Sequence, residues 1–135
     1  MVDCTHVYVK ESSFSQPDNV FLGVFSKKNF KEGDIVETGI MRRLSDNDNK
    51  CFDGMKNPYV FTWSDDIPNH TWAFASGCAT FYNTSKKANT YMERYFDTDT
   101  FKIIALTDID KDTELTHTYK SLRWRTVFKD LNDSL

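Results

Sequence analysis

The chain has 135 residues and a formal net charge of −3 at pH 7. This length fits a single domain spanning residues 1–135, and its 11 Phe, 6 Tyr and 3 Trp residues are enough to fill a core. The weakly acidic balance gives no bulk attraction to nucleic acid, and no apolar window approaches the length of a membrane span.

The cysteines and histidines give no sign of a metal site. Cys4, Cys51 and Cys78 are odd in number and lack a C-x-x-C spacing, which argues against both a disulfide framework and a zinc site. The three histidines are equally scattered. Because the N-terminus has no basic region leading into an apolar run, a signal peptide is not expected. These features predict a soluble intracellular protein, with no choice between cytoplasm and nucleus.

The first half of the chain predicts short β-strands separated by polar turns. Gly23 interrupts one of these strands, and a glycine inside a strand often marks close approach of another backbone or a ligand. Residues 45–57 are polar and predict a long exposed loop. The predicted strands are His6–Lys10, Val20–Phe25, Asp34–Glu37 and Pro58–Trp63.

The segment Gly77–Asn89 has the most unusual pattern. Phe81 and Tyr82 run directly into the polar cluster Asn83-Thr84-Ser85. An apolar run that ends in amide and hydroxyl groups places polar side chains at the inner end of a buried segment, where they can orient a ligand. A strand ending in an ordinary Asn/Thr/Ser turn is the competing interpretation.

The last third predicts a β-hairpin, another strand and one helix. Residues Tyr91–Phe96 alternate between two faces, which is typical of a strand. Phe101–Leu106 is the predicted hairpin partner, and Glu114–Tyr119 is the next strand. Trp124–Leu131 has apolar residues at helical spacing.

Two segments share one layout. Phe25–Glu37 and Ile104–Thr116 each consist of a strand, a polar loop with one apolar anchor (Phe30 or Ile109), an acidic turn and a second strand. Two copies are too few for a solenoid and indicate a compact fold with two similar β-units. Chance similarity is the alternative.

Five motifs, in order, resemble the SET domain of protein-lysine methyltransferases, especially its minimal stand-alone viral form. Phe21–Phe25 resembles the family element G-x-G-V-F, and Phe30–Glu37 resembles apolar-x-x-G-[DE]-apolar-apolar-E. Tyr59–Phe61 resembles Y-x-F, and Phe81–Asn89 resembles F-x-N-H-S-x-x-P-N. The last element, G-E-E-L-T-x-x-Y, is resembled by Asp112–Tyr119. With Trp124 after the last motif, the motif-bearing core covers residues 20–125, most of the chain.

The chain departs from the family pattern at three positions. Phe21 replaces the first glycine of G-x-G, Thr84 replaces the histidine of N-H-S, and Ala88 replaces the proline of P-N. Phe21 bears most on the cofactor site, because a glycine there allows close backbone approach. The family's cysteine-rich zinc-binding flanks also have no counterpart here.

The resemblance implies a mostly β fold of several small sheets with a pseudoknot and few short helices. It also implies transfer of methyl groups from S-adenosylmethionine to a lysine side chain of a protein substrate, a histone tail being one candidate. Tyr119 would be the catalytic hydroxyl, brought next to Asn83 by the knot. The implied cofactor-binding residues are Leu22, Gly23, Val24, Asn83, Thr84 and Trp124, and those of the lysine channel are Tyr59 and Tyr82.

Other functions stay open at this point. The departures at Phe21 and Thr84 favour a catalytically degenerate SET-like module that binds a peptide or protein partner. An unrelated small β-rich binding domain is the third interpretation, and core packing is the alternative role of each aromatic residue. The resemblance to the viral members also implies a homodimer, whereas neither a membrane nor direct nucleic-acid binding is expected.

Overall fold

A computed structural model describes residues 1–54, 57–64, 71–118, 131 and 133 of this protein. Short strands dominate these residues, and the helical segments between them are brief. The elements in chain order are β1 (Val7–Glu11), β2 (Leu22–Ser26), β3 (Ile35–Arg43), α1 (Asp46–Cys51), β4 (Phe61–Thr62), β5 (Trp72–Ala75), a 3-10 helix (Ala79–Phe81), β6 (Thr90–Tyr95), β7 (Thr100–Ala105) and β8 (Glu114–Leu115).

The strands form two sheets. One has three strands in the order β1-β2-β8, and the other has five in the order β4-β5-β3-β7-β6. All pairings between these strands are antiparallel. The mostly β fold class predicted from the sequence is therefore confirmed, as is the hairpin of β6 and β7, which pairs Tyr95 with Thr100.

The two similar β-units pack against each other through their apolar anchors. The backbone N–H of Phe30 donates to the carbonyl of Ile109, and that of Ile109 to the carbonyl of Phe30, both at 2.8 Å. Both side chains are buried. The equivalent turn residues Gly33 and Asp112 both have positive φ, 89° and 65°. The correspondence between the two segments is therefore a pseudo-twofold arrangement in the structure.

Helix α1 corrects the prediction of a long exposed loop. The Ser45 hydroxyl caps the helix by accepting a hydrogen bond from the N–H of Asp48 at 3.2 Å, and the carboxylates of Asp46 and Asp48 lie where the helix dipole favours negative charge. The side-chain carbonyl of Asn49 accepts the N–H of Trp72 at 2.8 Å and ties α1 to β5. Because no residue of α1 is buried, no apolar periodicity indicates it in the sequence.

Other predicted bounds also differ from the structure or lie outside it. Within the predicted strand Glu114–Tyr119, β8 covers only Glu114–Leu115, and Tyr119 lies outside the described residues. β3 extends past the predicted Asp34–Glu37 because it pairs with β5 as well as β7. β4 covers only part of the predicted Pro58–Trp63. The helix predicted at Trp124–Leu131 lies outside the described residues except for Leu131, which is helical.

The core draws on both sheets and on the segment around the 3-10 helix. Its largest buried apolar side chains are Trp63, Tyr82, Phe30, Phe101, Ile103 and Leu115. The side chains of Glu37, Glu114 and His117 are buried with them. None of the helices in the described ranges is long and apolar enough to cross a membrane.

Candidate functional site

Three segments that are far apart in the sequence meet at Asn83. Its side-chain amide donates to the carbonyl of Leu22 at 3.0 Å. Its backbone carbonyl accepts the N–H of His117 at 3.0 Å, and Asn83 forms a parallel bridge with Thr116. The polar cluster therefore lies beside the strand that leads towards Tyr119 in the sequence. Tyr119 itself, like Trp124, lies outside the described residues.

Two polar side chains, those of Glu114 and Asn83, lie close to Gly23. A Cβ at this position would lie 2.4 Å from a carboxylate oxygen of Glu114 and 3.1 Å from the amide nitrogen of Asn83. Both side chains are pinned by hydrogen bonds, so neither can move away without losing them. The glycine inside the strand predicted close approach of another backbone or a ligand, whereas the groups that approach Gly23 in the structure are side chains.

Glu114 is a buried carboxylate held by four hydrogen-bond donors. The hydroxyl of Ser12 lies 3.0 and 2.9 Å from its two oxygens, the N–H and hydroxyl of Ser13 donate at 2.7 and 2.6 Å, and the amide of Asn83 donates at 3.0 Å. Burial alone would raise the pKa of Glu114, but the hydrogen bonds from Ser13, Asn83 and Ser12 together outweigh it and leave the pKa below its ordinary value. Glu114 is therefore ionised at pH 7.

The remaining described residues of the predicted cofactor set differ in exposure. Leu22 begins β2 with its side chain 49 % exposed, whereas Val24 is fully buried and pairs with Leu115 of β8. Thr84 is buried. Phe21, just before β2, is held by its backbone, because its carbonyl accepts the N–H of Ser12 at 2.8 Å.

A second buried carboxylate, Glu37, lies behind Tyr82. The Tyr82 hydroxyl donates to one of its oxygens at 2.8 Å, and the N–H of Cys78 donates to the other at 2.9 Å. Burial raises the pKa of Glu37, and these two hydrogen bonds offset only part of the effect. Gly77 allows this contact, since it has a φ of 64° and a Cβ there would lie 2.3 Å from Glu37.

His117 connects the two carboxylate sites. Its ring stacks on Tyr82 with the centroids 5.5 Å apart and the planes 9° from parallel. Its backbone N–H binds the carbonyl of Asn83, the next residue. Burial lowers the pKa of His117 to about 4, so the imidazole is neutral at pH 7.

The two aromatics predicted for a lysine channel occupy different environments. Tyr82 is fully buried with its hydroxyl on Glu37, so it can line only the inner end of a channel. Tyr59 is 67 % exposed, its backbone N–H binds the side chain of Asn57, and its hydrogen bonds and ring contacts do not include Tyr82. Their roles in a channel stay predictions.

Sequence reasoning missed the partners of the two carboxylates. Glu37 and Glu114 stand inside the motifs but have no predicted role, and the sequence predicts no role for Ser12 or Ser13. A glutamate among strand residues that face the core indicates that polar partners lie nearby, because a buried carboxylate needs hydrogen-bond donors. Nothing local connects Ser12 to Glu114, which is 102 positions away.

The sequence model of the SET domain family matches residues 22–120. The chain therefore belongs to the SET domain family, whose members are generally protein-lysine methyltransferases. A crystal structure from Plasmodium falciparum, described as that of a candidate histone methyltransferase, is similar with a TM-score of 0.63 and 21 % sequence identity. The match covers 84 % of this chain and 96 % of that one, and at this identity the likeness concerns the fold. A search of the curated proteins finds no match.

Proposed function

We propose that this protein transfers methyl groups from S-adenosylmethionine to a lysine side chain of a protein substrate. The observation that carries the proposal is the meeting of the family's motif segments at Asn83. Its side chain binds the backbone at Leu22, and its main chain binds His117. Segments that only a particular fold brings together are better support than any one motif.

The residues around Asn83 fit such a cofactor chemically. S-adenosylmethionine carries a sulfonium, an ammonium group, a carboxylate, a ribose with two hydroxyls and an aromatic adenine ring. The ionised carboxylate of Glu114 contributes a negative charge that favours cations. Leu22, whose carbonyl binds Asn83, is 49 % exposed, and Phe81, two residues before Asn83, is 40 % exposed; both offer apolar surface. We assign Leu22, Gly23, Val24, Asn83, Thr84 and Trp124 to this site.

The chemistry asks mainly for positioning. S-adenosylmethionine supplies the methyl group, and the lysine amine must meet it in line and without its proton. A lysine in water has a pKa of about 10.4, and an apolar channel lowers it because burial disfavours the ammonium. Tyr59 and Tyr82 are the proposed walls of this channel, and the hydroxyl of Tyr119 is proposed to orient the amine.

The first test is calorimetric titration with S-adenosylmethionine and with its demethylated product, followed by tritium transfer from the labelled cofactor to mixed histones or a cell lysate. We expect the wild-type protein to bind both compounds and to label a protein. Tyr119→Phe should reduce transfer about a hundredfold, the cost of one preorganised hydroxyl. Tyr8→Phe is the matched control and should keep full activity, because the Tyr8 hydroxyl donates to Asp112 at an exposed site.

The outcomes separate the competing functions. Binding without transfer to any protein would favour the degenerate module that the departures at Phe21 and Thr84 suggest. A protein that binds neither compound would contradict a cofactor site altogether. Labelling of a histone rather than of lysate proteins would identify a histone tail as the substrate.

We also propose that the protein forms a homodimer through the outer face of its larger sheet. The strand register places Ile35, Ile40, Phe74 and Tyr91 on one face, and all four are exposed. An obligate twofold interface of this kind would bury roughly 2,000 Å² or more in total. Sedimentation equilibrium at micromolar concentration tests it, because a single species at 15.7 kDa would exclude the dimer.

A further inference from the structure

We propose that Ser12 and Ser13 are positioning residues for the candidate cofactor site. They act on the side chain of Asn83 through Glu114, and Ser12 also acts directly, because its hydroxyl accepts the amide of Asn83 at 3.3 Å. Both serines precede residues 22–120, the part of the chain that matches the SET domain family. The N-terminal strand and its turn would then be a working part of the site. The inference rests on the proposed function for the identity of the ligand, but not for the arrangement of the side chains.

The two serines are fixed in place by the same strand pair that presents the cofactor residues. In the pairing of β1 with β2, Glu11 lies opposite Leu22. The N–H of Ser12 extends this ladder by binding the carbonyl of Phe21 at 2.8 Å. The turn that contains Ser12 and Ser13 is therefore held by a hydrogen bond to Phe21, the residue just before Leu22 and Gly23. A displacement of one strand would move both the serines and the backbone that Asn83 contacts.

Neutral donors alone balance the charge of Glu114. The ion pairs in the described part of the chain are Lys31–Asp108 and Arg43–Asp99, so no cation there pairs with this buried carboxylate. A buried carboxylate keeps its charge only when donors replace the lost water. Ser12 and Ser13 supply two hydroxyls and one N–H, which is most of the set.

An ionised Glu114 decides which way the amide of Asn83 points. The carbonyl of Leu22 and the carboxylate of Glu114 are both acceptors, so the NH₂ group of Asn83 must face them. Its carbonyl oxygen is then turned to the other side. If Glu114 became protonated or rotated away, this preference would weaken and the amide could flip. The serines act at this step, because they keep Glu114 charged and in place.

The experiment compares the double variant Ser12→Ala/Ser13→Ala with Glu114→Gln and with a structural control. The control is Ser26→Ala, because Ser26 is a fully buried serine at the other end of β2 whose hydroxyl donates to the carbonyl of Asp110 at 2.8 Å. Ser12→Thr keeps a hydroxyl and serves as the rescue variant. The single variant Ser13→Ala replaces the double variant if that one does not fold.

Two readouts are measured, the first on the protein without any ligand. Carbon-detected NMR follows the titration of the Glu114 carboxyl, and nitrogen-edited NMR follows the side-chain amide of Asn83. Loss of the serine hydroxyls should move the titration to higher pH and broaden or shift the amide signals. In the second readout, calorimetry with S-adenosylmethionine should give about tenfold weaker binding in the serine and Glu114→Gln variants. Ser26→Ala and Ser12→Thr should bind like wild type.

The results of the two measurements distinguish failure of the proposed function from failure of this inference. A wild-type protein that binds no S-adenosylmethionine would contradict the proposed function, and the NMR measurements would then decide the inference by themselves. An Asn83 amide and a Glu114 titration unchanged by loss of the serines would overturn the inference. So would unchanged cofactor affinity in the serine variants, or an equal loss of affinity in Ser26→Ala, since the latter would indicate general destabilisation.

Discussion

Glu37 and Glu114 are both buried carboxylates without an ion pair in the described part of the chain, yet their pKa values shift in opposite directions. Burial raises the pKa of Glu37, which receives one hydroxyl and one backbone N–H. The pKa of Glu114 lies below its ordinary value, despite burial, because two hydroxyls, an amide and a backbone N–H bind it.

Two differences separate the carboxylates: Glu37 is the more deeply buried, at 1 % exposed against 8 % for Glu114, and it receives fewer donors. Glu114 stays ionised next to the half-exposed Leu22, while burial among core side chains raises the pKa of Glu37 and favours its neutral form. Tyr82 and Asn83 are consecutive residues, and each binds one of the two carboxylates. Glu37 and the proposed cofactor site are therefore held by the same short segment.

The largest expected effect on stability comes from a substitution next to the Glu37 carboxylate. Gly77→Ala would put a side chain at a φ of 64° and a Cβ 2.3 Å from the Glu37 carboxylate, which would have to leave its donors. We expect a loss of roughly 3–5 kcal/mol in the free energy of unfolding. Gly33→Ala is the matched control, because Gly33 also has a positive φ but nothing lies within 4 Å of the added Cβ.

Urea denaturation of both glycine variants measures the difference. Gly33→Ala should lose only about 1–2 kcal/mol, the cost of the left-handed backbone alone. Equal losses of stability in the two variants would mean that the Glu37 carboxylate can move away from its donors at little cost. That result would contradict the view that hydrogen bonds hold Glu37 in place.

The next effect concerns His117, which lies between the two carboxylate sites. Its pKa falls from 6.5 to about 4 on folding, so the unfolded chain binds more protons between these values. Stability from this group is present above pH 6.5 and is lost as the pH falls through 4, by up to about 3 kcal/mol. His117→Phe keeps a ring for stacking on Tyr82 but cannot titrate, and should flatten this part of the stability curve.

Denaturation at a series of pH values between 7 and 4 provides the test. Wild type should lose stability more steeply than His117→Phe over this range, after allowance for the difference at pH 7. Parallel curves for the two proteins would show that His117 is not protonated differently in the folded and unfolded states.

Glu37→Gln and Glu114→Gln should change the pH dependence of stability with opposite signs. Glu114, with a lowered pKa, stabilises the fold above its unfolded value of 4.5, and this contribution is lost as the pH falls through its folded value. Glu37, with a raised pKa, contributes below 4.5 and loses its contribution as the pH rises through its folded value.

At pH 7 we therefore expect Glu114→Gln to cost about 1–2 kcal/mol, and Glu37→Gln to cost less. Lowering the pH should reduce the deficit of Glu114→Gln and increase that of Glu37→Gln. Deficits that change in the same direction would contradict the assigned charges of the two carboxylates. The Ser26→Ala variant, which carries no titratable change, controls for general destabilisation.

Patterns among neighbouring residues predicted those strands and turns whose formation depends mainly on neighbouring residues. The alternation from Tyr91 to Phe96 identified β6, and the interrupted strand at Gly23 indicated a close approach, which side chains make in the structure. The two similar β-units were visible because each repeats a strand, an anchor and a turn. The family resemblance added what local patterns cannot provide, the meeting of Asn83 with the strand at Thr116.

Other features depended on contacts between distant residues or on weak signals. Helix α1 is short and polar, so only its cap at Ser45 distinguishes it from a loop. The charge of Glu114 depends on Ser12 and Ser13, about a hundred positions away, and no sequence period relates them. The predicted catalytic Tyr119 lies outside the described residues, so its placement stays a prediction.

The smallest expected effect comes from Tyr82→Phe, which removes one of the two donors of Glu37 and keeps the ring on His117. The loss should be about 1 kcal/mol at pH 7, the usual net value of one hydrogen bond. With only the N–H of Cys78 left, the pKa of Glu37 should rise further, so its stabilising contribution should persist to higher pH than in wild type.

Tyr8→Phe is the matched control for Tyr82→Phe, because the Tyr8 hydroxyl also donates to a carboxylate, that of Asp112, at 2.8 Å, but at an exposed site. Solvent replaces that bond readily, so this variant should lose less than about 0.5 kcal/mol. Denaturation measures both losses, and carbon-detected NMR of the Glu37 carboxyl measures the shift in its titration. If Tyr82→Phe left this titration unchanged, the number of donors would not influence the pKa of Glu37, and its deeper burial would be left as the cause of the contrast with Glu114.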